Sequence, residues 1–173
     1  ISLAMLFGMS GCLGVSGGKA PGRRAVTSLT DSAEVIMNDA PEHALALIDS
    51  IAPESIHNCS LNARYALLYS ESLFKNYIKA PNDSIIMIAV RYYSIKNDPV
   101  RKFRSYYTLG CVYNELQQYT QAAVALGQAE QLKDLVDDDF RVGLLYTQLG
   151  DVFFNSYDFH RAEQYYRLAM DYY

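Results

Sequence analysis

From residue 28 onward, apolar side chains return every three or four positions and are interrupted at short intervals by turn residues. In "SLTDSAEVIMNDAPEHALALIDSIAP" one apolar face runs through Leu29, Ala33, Ile36 and Met37. The chain breaks at Asp39-Ala40-Pro41, and a second face runs through Ala44, Leu45, Ile48 and Ile51. Such spacing is that of one side of an α-helix. Pro41 suits the first turn of the second helix, where its missing N–H costs nothing, and Pro53 follows its end. The segments "SLNARYALLYSESLFKNYI" and "SIIMIAVRYYSIK" repeat the arrangement around the break "KAPND", where Asn82 or Asp83 would cap the following helix. Asp98 before Pro99 opens a further helix that runs into Tyr113. No stretch alternates convincingly as a strand. The pattern predicts about eight helices in four hairpins.

The last two hairpins are written in nearly the same words. Shifting the sequence by forty residues aligns Tyr106 with Tyr146, Leu109 with Leu149, Gly110 with Gly150, Val112 with Val152, and Tyr113 with Phe153. Past the turn, Tyr119 aligns with Phe159, Ala122 with Ala162, Leu126 with Tyr166, and Ala129 with Ala169. A glycine inside a helix costs about 1 kcal/mol relative to alanine, so Gly110 and Gly150 need a packing reason. Close approach of the second helix supplies one, with Ala122 and Ala162 as the matching small surface opposite.

These residues resemble the tetratricopeptide repeat, in which an aromatic, Leu-Gly, a second aromatic, and then Ala, a bulky apolar residue and Ala recur in a helical hairpin. The resemblance implies an α-solenoid over residues 28–173. Tyr106 and Tyr146 stand where the family most typically has tryptophan, and Asp134 where it has proline. The family period is about 34 residues, so the extra residues fall within "LKDLVDDDFR". There Asp137, Asp138 and Asp139 read as a helix N-cap with a negative first turn rather than a metal cluster. Segments such as "EHALALIDSI" and "ARYALLYSES" are similar to repeat proteins common in Bacteroidetes.

Composition narrows the functional classes. Half of the 173 residues are apolar, a fifth are charged and the net charge is −4, which disfavours a polyanion partner. Three cysteines, Cys12, Cys59 and Cys111, are too few and too scattered for a disulfide framework or a zinc site. His43, His57 and His160 lie in three different hairpins, so no catalytic or metal constellation is expected, and no cofactor. His57-Asn58-Cys59 is the nearest approach to a ligand pair.

Residues 1–12 differ in character. "ISLAMLFGMSGC" is apolar, too short to span a bilayer, and resembles the end of a lipoprotein signal peptide, with Met9-Ser10-Gly11-Cys12 at the lipobox. The resemblance implies lipidation of Cys12 and a place in the cell envelope. Residues 13–27, rich in glycine and basic residues, read as a flexible tether.

In stacked hairpins the concave side is lined mainly by the first helix of each. The candidate groove residues are Arg64, Leu67, Glu71 and Phe74, then Arg104, Tyr107, Cys111 and Asn114, then Leu144, Thr147, Asp151 and Phe154. Rings and mixed charges there suit an extended peptide or a partner helix; the same positions also suit packing between neighbouring hairpins. The leading expectation is a membrane-tethered, non-catalytic scaffold that binds another protein or peptide. A second is the sensory half of a regulator that continues through a transmembrane segment and coiled coil to a helix-turn-helix domain. A third is an accessory to glycan uptake. The sequence stops within a hairpin that leaves Tyr165, Tyr166, Tyr172 and Tyr173 partly open, so either a further element or a partner is expected on that side.

Overall fold

The computed structural model describes residues 22–173. Among them are eight α-helices and no strand: α1 (Arg23–Ile36), α2 (Pro41–Asp49), α3 (Cys59–Lys75), α4 (Ser84–Tyr93), α5 (Pro99–Glu115), α6 (Tyr119–Glu130), α7 (Asp139–Asn155) and α8 (Phe159–Met170). They form four antiparallel hairpins, and each first helix also packs on the first helix of the next hairpin. The architecture is an all-α helical-hairpin solenoid.

Caps explain where the helices start. Asn58, Asp98, Asp138 and Asp158 each accept a hydrogen bond from the backbone N–H three residues on, at 3.0 Å, satisfying a donor that the helix itself leaves unpaired. Of the aspartates at 137–139, Asp138 is the cap and Asp139 lies in the first turn. Asn82 accepts from the Ser84 N–H, whereas Asp83 instead accepts from the Tyr113 hydroxyl of α5 at 2.7 Å.

The ends of α3, α5 and α7 share an unusual device. Tyr77, Gln117 and Tyr157 all adopt positive φ, at 57°, 62° and 64°. In each case the next residue's N–H reaches back to a carbonyl five residues earlier: Ile78 to Leu73, Gln118 to Tyr113, and Asp158 to Phe153. This is a Schellman closure, normally built on glycine. The forty-residue period therefore runs through three hairpins.

The core is laid down in layers. One cluster joins α1 and α2 to Tyr65 and Leu68 of α3. The next joins α3, α4 and α5, and the last joins Phe103 to α6, α7 and α8. The extra residues between the last two hairpins form a 3-10 turn at Lys133–Leu135 and place buried Val136 in that last layer.

Two expectations change. Cys12 and most of the expected tether lie outside the described residues, but residues 23–27 belong to α1, because Val26 is buried in the first core layer and holds that turn in the helix. The glycines also meet different partners. A Cβ on Gly110 would collide with the Leu126 side chain, and one on Gly150 would lie 2.5 Å from the Tyr166 ring. Ala122 contributes only its carbonyl oxygen, at 3.4 Å, while Ala122, Ala129, Ala162 and Ala169 are all buried between helices.

Candidate functional site on the concave face

The first helices of all four hairpins, α1, α3, α5 and α7, converge on one cavity of about 140 Å³. Phe74, Phe103, Tyr107, Phe140 and Leu144 give it an aromatic and apolar wall; Glu34, Glu71, Lys75, Arg104, Asp138 and Arg141 supply charge, with Met37, Asn38 and Thr108 completing it. Five of the twelve residues expected in the groove are there: Glu71, Phe74, Arg104, Tyr107 and Leu144.

The charges on its α1 side are paired with one another. Arg104 donates through Nε and Nη2 to the two carboxylate oxygens of Glu71, at 2.8 and 2.6 Å, and through Nη1 to Glu34. Glu34 also receives Arg64 and lies 3.6 Å from Arg101. Arg64 reaches on to Asp31, and Arg101 to Asp98. Burial alone would push the Glu34 carboxyl up, but Arg104 and Arg64 outweigh it and hold it down at about 2. Burial likewise opposes the charge on Arg104, yet Glu71 and Glu34 raise its pKa above the ordinary value. Three helices and the first three hairpins are locked by this network. Such a network fixes geometry more than it adds stability, since desolvation of the ions offsets much of their attraction.

The remaining expected groove residues lie elsewhere. Leu67 and Cys111 are enclosed in the interior, so they offer no surface to a partner. Burial holds the Cys111 thiol well above its ordinary pKa, with the Tyr107 hydroxyl beside it acting the other way; the thiolate needed for reactivity is suppressed. Arg64 is spent on Asp31 and Glu34. Asn114 accepts from Asn155 of α7 at 3.1 Å, joining two hairpins. Thr147 bonds the Tyr173 hydroxyl at 3.0 Å, and Asp151 accepts from Tyr166 at 2.7 Å. Phe154 lines a separate shallow groove with Phe159, Tyr166 and Met170 on the outer side of the last hairpin.

Part of the difference comes from position in the stack. Equivalent positions have different surroundings in successive hairpins: Cys111 on α5 is fully buried, whereas its counterpart forty residues on, Asp151 on α7, is half-buried and meets Tyr166. The residues that sequence reasoning missed, above all Glu34 and Thr108, lie on a helix not considered for the groove or one position beside a chosen one. Phe140 could have been found from its exposed apolar ring at the start of α7.

A family model described as a tetratricopeptide repeat matches residues 103–134. Residues 103–134 are thus similar to a tetratricopeptide repeat. The matched segment begins at Phe103, takes in most of α5 and all of α6, and contributes Phe103, Arg104, Tyr107 and Thr108 to the cavity wall. Repeats of this kind are scaffolds for protein–protein interaction, which is the general class of function the match supports. No curated protein and no solved structure matches the chain. Among the described residues, no group of three or more His, Cys, Asp or Glu side chains could hold a metal, and no helix is long and apolar enough to cross a membrane.

Proposed function

We propose that this protein is a non-catalytic scaffold that receives a peptide or partner segment on its concave face, held at a bacterial membrane through a lipid on Cys12. The observation that carries the first part is the convergence of all four first helices on one aromatic-walled cavity, with the tetratricopeptide repeat at its centre. Recognition surfaces of this kind combine rings, which supply buried area, with a few charged groups that set orientation. The arginines of α3 and α5 already hold carboxylates of the chain, so they act as the frame. Lys75 lines the cavity with no salt bridge to any described residue, which leaves it available to an acidic or carbonyl group of the partner.

The test is a quantitative comparison of cross-linked partners in native membranes. The double variant Lys75→Glu/Phe140→Asp should lose them while keeping its melting temperature, because Phe140 is 63% exposed. Val124→Asp, on the exposed side of α6, should retain them. Equal capture by all three proteins would sink the concave-face reading. The anchor is tested separately: mass spectrometry of the membrane fraction should find acylated Cys12, and Cys12→Ser should release the protein. Unmodified Cys12 in a membrane-free fraction would remove that part of the proposal.

A further inference from the structure

The two ends of the stack present different surfaces. On α1 the exposed residues include Arg24, Ser28, Asp31 and Ser32, and Val35 is the one exposed large apolar side chain of that helix. At the other end, Phe154 of α7 and Phe159 and Met170 of α8 are 53%, 56% and 70% exposed. With half-buried Tyr166 they line one groove, and the Phe154 and Phe159 rings pack edge-on with centroids 5.4 Å apart. Apolar side chains gathered in this way, unlike a lone Val35, mark a surface that meets something.

The preceding hairpin shows what this side of a second helix meets inside the stack. Tyr119, Ala123 and Leu126 of α6 stand forty residues before Phe159, Glu163 and Tyr166, and all three pack into the layer shared with α7 and α8. On α8 the small residues of this face, Ala123 and Gly127 on α6, give way to Glu163 and Arg167. These side chains are 59% and 73% exposed and pair with each other at 2.6 Å. The occupant of this face must therefore bring apolar area together with both signs of charge, set close to each other.

A second copy of the same face meets that description. Helical periodicity puts Phe159 and Met170 on one line along α8, equally far from a midpoint between Gln164 and Tyr165, with Glu163 and Arg167 together on one flank of that line. Two α8 helices laid antiparallel about a two-fold axis at this midpoint bring Phe159 of each against Met170 of the other, a ring–thioether contact, and Glu163 of each beside Arg167 of the other. We propose that the protein forms a closed dimer through the outer face of its last hairpin, α8 against α8 of a second copy. The polar first end does not complement this face, so association stops at two copies instead of growing head to tail. The concave cavity shares no residue with the groove on α8, so the dimer stands or falls independently of what the cavity binds.

The experiment is sedimentation equilibrium of the full chain under reducing conditions. Expected is a mass of twice 19.5 kDa, which Met170→Glu, at an exposed site, should return to that of one chain. Glu163→Arg and Arg167→Glu each turn both attractive pairs across the axis into repulsive ones, and each should weaken the dimer about tenfold. Mixed in equal amounts, these two variants should pair with each other about as tightly as the wild type does with itself, because every pair across the axis is then opposite in sign. Val35→Asp, on the first helix of the stack, should change nothing. Melting curves of each variant establish that it is folded. A dimer that survives Met170→Glu, a mixture no tighter than its two components, or dissociation by Val35→Asp would each overturn the proposal. A monomeric wild type would overturn it too, and would assign the face to a different protein or to another segment of the chain.

Discussion

The α5–α6 and α7–α8 hairpins are built on the same packing code but sit in different surroundings. In both, a glycine on the first helix admits a large side chain from the second: Leu126 over Gly110, Tyr166 over Gly150. In both, a non-glycine residue takes positive φ at the turn, Gln117 in one and Tyr157 in the other, although the turn ends at Gln118 in the first and at the capping Asp158 in the second. The difference lies in the outward columns. Arg104 of α5 is clasped by Glu71 and Glu34 of earlier hairpins, whereas its counterpart Leu144 is an apolar wall of the cavity. Cys111 is fully buried, whereas its counterpart Asp151 is half-buried and satisfied by Tyr166 of its own hairpin. A repeat unit thus specifies its own hairpin by what it copies, and its relation to neighbours by what it changes.

The sharpest way to break this contrast is to remove the carboxylate that ties the first three hairpins together. Glu34→Gln should cost roughly 2–3 kcal/mol, because Arg104 and Arg64 lose a charged partner in a mostly buried setting. In a stack where each unit contacts mainly its neighbours, hydrogen exchange should speed up in α1, α3 and α5 with little change in α8. Uniform acceleration through α8 would show that the hairpins do not behave as separable layers.

Acid should separate the same two regions with opposite sign. The Glu34 carboxyl is held at about 2 in the folded chain, below its ordinary value of 4.5. Its contribution is therefore fully present above about pH 4.5 and is lost as pH falls toward 2. Asp151 is shifted the other way: burial raises its pKa, against the hydrogen bond from Tyr166. It penalises the folded state when ionised, and protonation relieves that penalty as pH falls. Between pH 5 and 3, thermal melts of the wild type should lose stability, Glu34→Gln should lose less, and Asp151→Asn should lose more. Parallel pH profiles for all three would contradict the assignment.

The two glycines offer a finer comparison. A methyl on Gly110 would meet Leu126, which is fully buried and has nowhere to go, with Cδ2 at 2.6 Å. On Gly150 it would meet the Tyr166 ring, which is only half-buried and can swing outward at the cost of its bond to Asp151. Overpacking costs about 1–3 kcal/mol, offset by about 1 kcal/mol of helix propensity. Gly110→Ala should therefore destabilise by about 1–2 kcal/mol in denaturant titrations, and Gly150→Ala by less than about 1 kcal/mol. A larger loss at Gly150 would mean that the outer face is as rigid as the interior.

How much of this could be read in the sequence follows from the same logic. The glycine, alanine and ring positions of the last two hairpins were legible because packing within a hairpin is set by residues close in the chain. The α3–α4 hairpin follows the same forty-residue period on its first helix, but it carries Ser70 at the glycine position and Ala66 where Tyr106 and Tyr146 stand. Ser70 folds its hydroxyl onto the Ala66 carbonyl at 2.9 Å and so becomes nearly as unobtrusive as glycine. The cavity was half legible. Neighbouring positions on a first helix either line the concave cavity or are enclosed in the interior, and periodicity alone does not separate Tyr107 from Cys111. The Glu34–Arg104 pair, seventy residues apart, depends on the superhelical turn of three hairpins and leaves no local signal.

The smallest expected effects come from the turns. Gln117 and Tyr157 hold positive φ at equivalent places, a conformation that costs an L-residue about 1–2 kcal/mol and glycine nothing. Replacement by glycine relieves that strain but gives the unfolded chain more freedom, so the net gain is about 0.5–1 kcal/mol. Gln117 is exposed and makes no side-chain hydrogen bond or ion pair with a described residue, so Gln117→Gly should realise that gain in full. Tyr157 is 83% exposed but keeps an edge-on contact with Phe159, ring centroids 6.2 Å apart. Tyr157→Gly should gain less, since an aromatic pair is worth about 0.5–1.5 kcal/mol. Urea titrations of the two single variants measure the difference directly: equal gains would show that the Tyr157–Phe159 contact contributes nothing, and a loss at Gln117 would show that this turn is not strained.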